Sequence, residues 1–222
     1  MHERGSGLGS WIWDDVGLDA VAIDHPASVR DGGSVGDYAD EVVRQVDAAG
    51  ADRIVLVSHS IGAIVAHAAA GRLGGRVDGL LAVSGVVPRP GKGFFSAFGF
   101  PQGTIASLIV RVAGTKPPES MLRKGLAAGL DDSVADRVVA SFTPESQQLF
   151  RDGLVPLRAV VSRGYVLTTD DVEVPLARQR ECADRLEASH RVELATGHLP
   201  MLQDPAGVRD AVLGFCAAVA DH

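Results

Sequence analysis

The chain has 222 residues, of which 46% are hydrophobic and 22% are charged, as expected for one soluble domain with a substantial core. Its formal net charge of −7 argues against nucleic acid or an anionic membrane as a partner, because both attract basic surfaces. No apolar run reaches the roughly 18 residues that a membrane span needs, and no export signal is recognisable, so a cytoplasmic location is expected.

Short apolar runs alternate with segments of helical periodicity along the chain. The runs that predict strands are residues 21–23, 54–57, 80–83, 165–167 and 192–194. Most of them are apolar on both faces, which is typical of strands that are covered by helices on both sides. The alternation predicts an α/β fold with a mostly parallel, doubly wound sheet.

Helical periodicity is clearest between the first two runs. Apolar residues recur at the spacing of one helix face over residues 35–46, and Ser34 with Asp37 has the pattern of an N-terminal cap. The same periodicity returns in the last segment of the chain. The only two cysteines, Cys182 and Cys216, fall in segments that also have a helical pattern, and we expect buried free thiols.

Residues 88–155 interrupt the alternation, because helical fragments separated by glycine and proline replace the strands. The segment predicts a helical lid inserted between the two parts of the core, residues 1–87 and 156–222. It contains six of the seven phenylalanines, Phe94, Phe95, Phe98, Phe100, Phe142 and Phe150. One interpretation is an insertion with its own small core; the other is a lid whose aromatic face, with Phe94, Phe95 and Phe98, lines a substrate pocket.

Ser60 lies in the run Ser-His-Ser-Ile-Gly, directly after a predicted strand and before an alanine-rich helix. A serine at a sharp strand-to-helix turn needs small neighbours two positions away, as Ser58 and Gly62 are. The turn also brings the Ile61 N–H to the start of a helix, where it can stabilise a developing oxyanion. The pattern predicts a nucleophile; the alternative is that Ser60 only caps the helix.

His198 follows the last predicted strand and precedes the last helix, a position from which it could act as the general base. Two adjacent carboxylates, Asp170 and Asp171, follow the run 165–167, and either could orient the histidine. The order serine, aspartate, histidine is that of the α/β-hydrolases. Among the other histidines, His59 is most simply interpreted as a loop residue.

Four segments together resemble α/β-hydrolases of the plant methylesterase and hydroxynitrile-lyase type, a group that includes small bacterial esterases. They are a glycine-rich loop with Trp-x-Trp at 5–13, the serine turn at 58–62, the Asp-x-x-Val-Pro turn at 165–175, and Gly-His-x-Pro-Met-Leu-x-x-Pro at 197–205. The resemblance implies an α/β-hydrolase fold and Asp171 as the acid. It also implies the backbone N–H of Ser6 as an oxyanion donor beside Ile61. The expected reaction uses no metal or organic cofactor.

Two of the departures from this family lie at the start of the chain. Arg4 stands where the family has the histidine of a His-Gly pair. The chain begins at the glycine-rich loop, whereas the family has two antiparallel strands and a central parallel strand before it. Either the start of the chain is placed too late, or the fold lacks the first N-terminal strands.

The sequence predicts a small carboxylic-ester hydrolase that forms an acyl-enzyme on Ser60, with His198 as base and Asp171 as orienting acid. The expected partner is a small, apolar, ester-like molecule, and a homodimer is left open. Two alternatives also stay open. One is lactone or thioester hydrolysis, or cyclisation in a natural-product pathway, on the same residues; the other is a degenerate hydrolase fold that only binds.

Overall fold

The computed structural model describes residues 2–3, 8–154 and 162–220. The strands in these residues form one parallel six-stranded sheet in the order β2-β1-β3-β4-β5-β6. The strands are β1 (His2–Glu3), β2 (Ala22–Ile23), β3 (Ile54–His59), β4 (Val77–Val83), β5 (Ser162–Thr168) and β6 (His190–Leu194). Each of the five apolar runs in the sequence forms one of these strands, so the α/β prediction is confirmed.

The sequence pattern did not predict β1, because two residues are too few to show a hydrophobic period. His2 pairs with Ala22 of β2 on one side and with Val57 of β3 on the other. A parallel strand therefore precedes the glycine-rich loop, and the expectation of a sheet without it needs this correction.

Ten α-helices lie in the described residues, together with 3-10 helices at Ser10–Val16, Gly74–Arg76 and Phe94–Ala97. The α-helices are α1 (Ala27–Arg30), α2 (Val35–Ala48), α3 (Gly62–Leu73), α4 (Gln102–Ala113), α5 (Glu119–Lys124), α6 (Asp132–Ser141), α7 (Gln147–Arg151), α8 (Leu176–Leu186), α9 (Pro200–Gln203) and α10 (Pro205–Ala220). The predicted cap of α2 is present: Ser34 Oγ accepts from the Asp37 N–H at 3.2 Å, and Asp37 Oδ2 accepts from the Ser34 N–H at 2.8 Å.

The core has two layers, one on each face of the sheet. Helices α2, α3 and α8 pack on the face to which Leu80 and Tyr165 belong. Helix α10 and the 3-10 helix Ser10–Val16 pack on the face of Leu81 and Val166. Neighbouring residues of one strand thus enter opposite layers, which is why the strands are apolar on both faces.

Helices α4–α7 all lie between residues 88 and 154, and we call this segment the lid. Its two ends meet: the Gly91 N–H donates to the Leu154 backbone O at 2.8 Å, and the Leu154 N–H donates to the Lys92 backbone O at 3.1 Å. Gly85, three residues before the lid, is bonded to the sheet, because its backbone O accepts from Tyr165 OH of β5 at 2.5 Å. The start of the lid is therefore attached both to its own end and to the sheet. Its predicted end, at residue 155, lies outside the described residues.

Both cysteines are free and lie in helices, as the sequence indicated. Cys182 in α8 is buried as expected, whereas Cys216 in α10 is only partly buried. None of the helices in the described residues is long and apolar enough to cross a membrane.

Candidate active site

Ser60 occupies the turn between β3 and α3 with a φ of 53°, a left-handed conformation that residues other than glycine rarely adopt. Three backbone hydrogen bonds hold it there. The Ser60 N–H donates to the Val83 O at 3.1 Å, and the Ser60 carbonyl accepts from the N–H groups of Ala63 at 3.2 Å and Val86 at 2.9 Å. A strained conformation that its surroundings fix so firmly is typical of a functional residue.

Three side chains predicted from the sequence meet at the carboxyl ends of β3, β5 and β6. Ser60 Oγ–H donates to His198 Nε2 at 3.0 Å, and His198 Nδ1–H donates to Asp171 Oδ2 at 2.8 Å. His198 and Asp171 are buried. Asp170 is exposed, and its carboxylate accepts from Thr169 Oγ1–H instead. The structure thus brings Asp171, and not Asp170, to the histidine.

The Asp171 carboxylate is held on both of its oxygens. Oδ1 accepts from the backbone N–H groups of Glu173 at 2.8 Å and Val174 at 2.9 Å, because the chain turns around the carboxylate towards Pro175. Oδ2 is the oxygen that faces His198. An acceptor facing Nδ1 fixes the proton on that nitrogen, so the lone pair of Nε2 faces Ser60.

Gln179 on α8 completes this arrangement, and the sequence analysis missed it. Its Nε2–H donates to Asp171 Oδ2 at 3.2 Å and to the Val174 backbone O at 2.7 Å, while its Oε1 accepts from the Thr168 N–H at 2.9 Å. Thr168 Oγ1–H also donates to Asp171 Oδ2 at 3.1 Å. A signal was present in the sequence: Gln179 lies at helical spacing with Cys182, Ala183 and Leu186 on the buried face of α8.

The charges of the buried pair stabilise each other. Burial raises the pKa of Asp171, but the charge and hydrogen bond of His198 and the two backbone N–H groups outweigh it and hold that pKa below the usual 3.8. Burial lowers the pKa of His198, but the charge and hydrogen bond of Asp171, together with the charge of Glu173, outweigh it and raise that pKa above 6.5. An imidazolium formed at His198 is therefore favoured.

His59, interpreted from the sequence as a loop residue, is buried beside His198. Its Nε2–H donates to the backbone O of His198 at 2.7 Å, and the two ring centroids are 4.8 Å apart. Burial, followed by the neighbouring His198, lowers the pKa of His59 to about 3, so that this ring stays neutral and keeps its donor. Only its place next to Ser60 could have indicated this role.

Ser60 and His198 open into a cavity of about 370 Å³ under the lid. The three phenylalanines predicted for a pocket, Phe94, Phe95 and Phe98, line it, and so do Phe142 and Phe150. Phe94 lies 5.1 Å from both Phe95 and Phe150, measured between ring centroids. Phe100 does not contribute and is 85% exposed.

Two carboxylates also border this cavity, in different environments. Glu145 is buried, accepts from Tyr38 OH at 2.5 Å and lies 3.7 Å from Arg30, so it already has partners within the protein. The carboxylate of Glu173 lies against the backbone of Gly125, in the space that a side chain at position 125 would occupy. Glu173 as a whole is exposed, but loss of solvent around its carboxylate is the largest cause that raises its pKa.

The expected oxyanion donors are only partly described. The Ile61 residue borders the cavity, and its backbone N–H makes no hydrogen bond to another described residue, so it is available to a ligand. Ser6, the second predicted donor, lies outside the described residues, as does Arg4. Within the described part of the chain, no group of His, Cys, Asp and Glu side chains could hold a metal ion.

A hydroxyl that is hydrogen-bonded to a neutral imidazole, itself oriented by a carboxylate, can act as a nucleophile on a carbonyl group. The cavity supplies an apolar space at the hydroxyl, and the Ile61 N–H lies at the start of α3, where it favours negative charge. Acyl transfer is the reaction class that these groups suit.

Comparisons with known proteins identify the family and the fold. The model of the alpha/beta hydrolase family matches residues 2–211. No curated protein matches the sequence.

Solved structures share the fold over nearly the whole chain at low sequence identity. An extracellular alpha/beta-hydrolase from a Paenibacillus species, described as homologous to tobacco salicylic acid binding protein 2, has a TM-score of 0.80 at 15% identity, over 96% of this chain and 97% of its own. Polyneuridine aldehyde esterase has a TM-score of 0.76 at 15% identity, over 97% and 98%. A pyrethroid hydrolase has a TM-score of 0.75 at 21% identity, over 100% and 98%.

Proposed function

Since the chain belongs to the alpha/beta hydrolase family, we propose that it is a serine esterase that cleaves a carboxylic ester of a small apolar substrate through an acyl-enzyme. The observation that carries the proposal is the hydrogen-bonded series Ser60, His198 and Asp171, with distances of 3.0 and 2.8 Å, which opens into an apolar cavity.

The first half of the reaction forms the acyl-enzyme. Ser60 Oγ attacks the ester carbonyl while His198 Nε2 takes its proton, and the Asp171 carboxylate stabilises the resulting imidazolium. The Ile61 N–H donates to the oxyanion of the tetrahedral intermediate, with the Ser6 N–H as the second donor that the family resemblance implies. The intermediate collapses, and the alcohol leaves with the proton of His198.

The second half uses the same groups on water. His198 takes a proton from a water molecule, which attacks the acyl carbonyl on Ser60. Collapse of this second intermediate releases the acid and returns the proton to Ser60. No metal or organic cofactor takes part in either half.

The aromatic lining of the cavity supports an apolar acyl or alcohol group as the substrate class. A volume of about 370 Å³ suits a small molecule, and ring faces favour the burial of hydrocarbon. Two of the structures with this fold are named as an esterase and as a pyrethroid hydrolase, which agrees with ester chemistry for this chain.

A fluorophosphonate probe and p-nitrophenyl butyrate together test the proposal. The wild type should hydrolyse the ester and carry one probe adduct on Ser60, found by peptide mass spectrometry. Ser60→Ala should lose the adduct and on the order of 10³-fold or more of the activity, because only binding and the oxyanion hole remain. Ser96→Ala, which changes a lid serine outside the cavity, is the matched control and should keep both.

Two results would contradict the proposal. If Ser60→Ala keeps more than about a tenth of the activity, Ser60 is not the nucleophile. If the wild type neither binds the probe nor hydrolyses any of a series of esters, lactones and thioesters, the chain is a hydrolase fold that only binds. The same series decides between ester cleavage and the alternatives on the same residues.

A further inference from the structure

The outer side of α4 carries an apolar stripe that nothing in the described residues covers. Ile105, Leu108, Ile109 and Val112 follow one another at i, i+3, i+4 and i+7, and they are 55%, 61%, 53% and 80% exposed. Phe100, just before the helix, is 85% exposed. Soluble proteins scatter exposed apolar side chains singly, whereas a contiguous group of them marks an interaction site. We call these five residues the lid stripe.

The lid stripe is not a by-product of the cavity. Gln102, Ala106 and Val110, on another side of α4, line the cavity that contains Ser60. Five of the nine large hydrophobic side chains that are exposed in the described residues belong to the stripe, so the concentration is local to this helix. The helix therefore separates the cavity from an apolar outer surface.

A basic groove of about 670 Å³ runs beside the stripe, and Phe100 and Leu108 belong to both. Its cations are Arg89, Lys92, Arg111 and Arg151, and no Asp or Glu lines it. None of the four has an ion pair with a described carboxylate, whereas arginines elsewhere in the described chain mostly do. Unpaired cations gathered in one groove favour an anionic ligand.

The sequence around the stripe has the opposite charge to the chain as a whole. Residues 88–118 contain four lysines and arginines and no aspartate or glutamate, although the whole chain has a net charge of −7. The expectation of no membrane partner rested on that net charge. A membrane surface interacts with the charges that face it within a Debye length, so the local charge decides.

We propose that the lid stripe and the basic groove form a docking surface for an anionic phospholipid membrane. The apolar side chains of α4 enter the boundary between headgroups and acyl chains, and the groove cations bind headgroup phosphates. A second copy of the chain fits less well, because a two-fold dimer through this face would bring the same unpaired cations of both copies together. A lipid surface supplies both the apolar layer and the anions.

Docking has a consequence that rests on the proposed function. Since α4 borders the cavity on its inner side, the docked protein holds the lid of its cavity against the lipid. Apolar esters dissolve in membranes, so docking concentrates them next to Ser60. Membrane binding itself does not depend on hydrolysis, and the two can be tested apart.

Vesicle sedimentation of full-length Ser60→Ala tests docking without hydrolysis. The protein should sediment with vesicles of mixed phosphatidylglycerol and phosphatidylcholine, less with phosphatidylcholine alone, and less as salt is added. Leu108→Glu with Val112→Glu should weaken binding about tenfold or more. Lys92→Gln with Arg111→Gln should weaken it on the order of fivefold for each cation removed.

Matched changes elsewhere separate docking from general effects. Leu213→Glu replaces a half-exposed leucine on α10, and Arg53→Gln removes an exposed arginine that is paired with Asp78. Both should bind vesicles like the parent. The stripe and groove variants made in the active protein should keep the parent's melting temperature and its activity on soluble p-nitrophenyl acetate, since none of the changed residues lines the cavity.

Several outcomes would overturn the proposal. They are no sedimentation with anionic vesicles, equal binding by the stripe variant and by Leu213→Glu, and a dimer in sedimentation velocity that the stripe variant abolishes while vesicles go unbound. If the Ser60→Ala variant binds vesicles and the wild type shows no esterase activity, the docking proposal stands and the proposed function is refuted. If the wild type is an active esterase and the chain does not bind vesicles, the proposed function stands and the docking proposal is refuted.

Discussion

The cavity has two walls that are held in different ways. On the side of the sheet, the Asp171 carboxylate accepts five hydrogen bonds from side chains and backbone groups. On the side of the lid, the wall includes four phenylalanine rings in mutual contact, at centroid distances of 5.1 to 5.7 Å. Hydrogen bonds have narrow distance and angle requirements, whereas ring contacts tolerate rearrangement. The first wall therefore fixes a reacting geometry, and the second can adapt to different apolar groups.

Replacing Asp171 by asparagine would test the fixed wall most severely. The amide cannot stabilise an imidazolium, and it can hold His198 in the wrong tautomer, so kcat should fall by about 10²-fold or more. Ester-hydrolysis kinetics measure the effect. Asp170→Asn, the adjacent exposed control, should change kcat by less than about threefold. The reverse ranking would transfer the role to Asp170.

A second change loosens the fixed wall without touching the reacting atoms. His59→Leu removes the donor to the His198 backbone O, so kcat should fall on the order of tenfold while KM changes little. His59→Gln keeps an N–H that can reach the same oxygen and should restore part of the loss. Equal kcat in both variants, at equal melting temperature, would mean that the hydrogen bond does not position His198.

The adaptable wall should respond in KM. Phe94→Ala with Phe95→Ala removes apolar area that a substrate covers, and each Å² covered contributes roughly 25 cal/mol. We expect KM for p-nitrophenyl octanoate to rise about fivefold or more, and KM for the acetate to rise much less. Phe100→Ala, at the exposed ring outside the cavity, is the control. An equal change for both esters would show that the two rings only pack the lid.

The smallest expected effect is on the pH dependence of the reaction, through Glu173, which borders the cavity next to His198. Because His198 must be neutral to accept a proton, kcat/KM should rise with pH through its pKa, which lies above 6.5. The charge of Glu173 contributes to that raised pKa, so Glu173→Gln should move the rising limb to lower pH. Glu193→Gln, at an exposed position, should leave the profile in place. A move to higher pH would contradict the electrostatic role of Glu173.

The same division explains what the sequence could predict. Strands β2–β6 and the turn at Ser60 follow from local patterns, since hydrophobic periods and turn spacings are contained in neighbouring residues. The residues alone left Asp170 and Asp171 as alternatives, and the resemblance of the turn 171–175 to the family selected Asp171. The roles of His59 and Gln179 arise from contacts across the fold, to His198 and to the turn after β5, which no local pattern specifies. The aromatic character of the lid was predicted from its amino-acid composition alone. Which of its rings face the cavity depends on packing, and Phe100 does not.

The hydrogen bonds that join the two ends of the lid have a consequence for how such a protein can change over evolutionary time. The Gly91 and Lys92 backbone pairs with Leu154, while Val86, four residues before Pro90, is bonded to Ser60. An insertion whose two ends touch can be exchanged for another of different length without altering the distance that the host must span. The segment therefore behaves as a replaceable module. New specificities, natural or engineered by grafting, can be acquired between residues 92 and 154 while the hydrolytic residues keep their places.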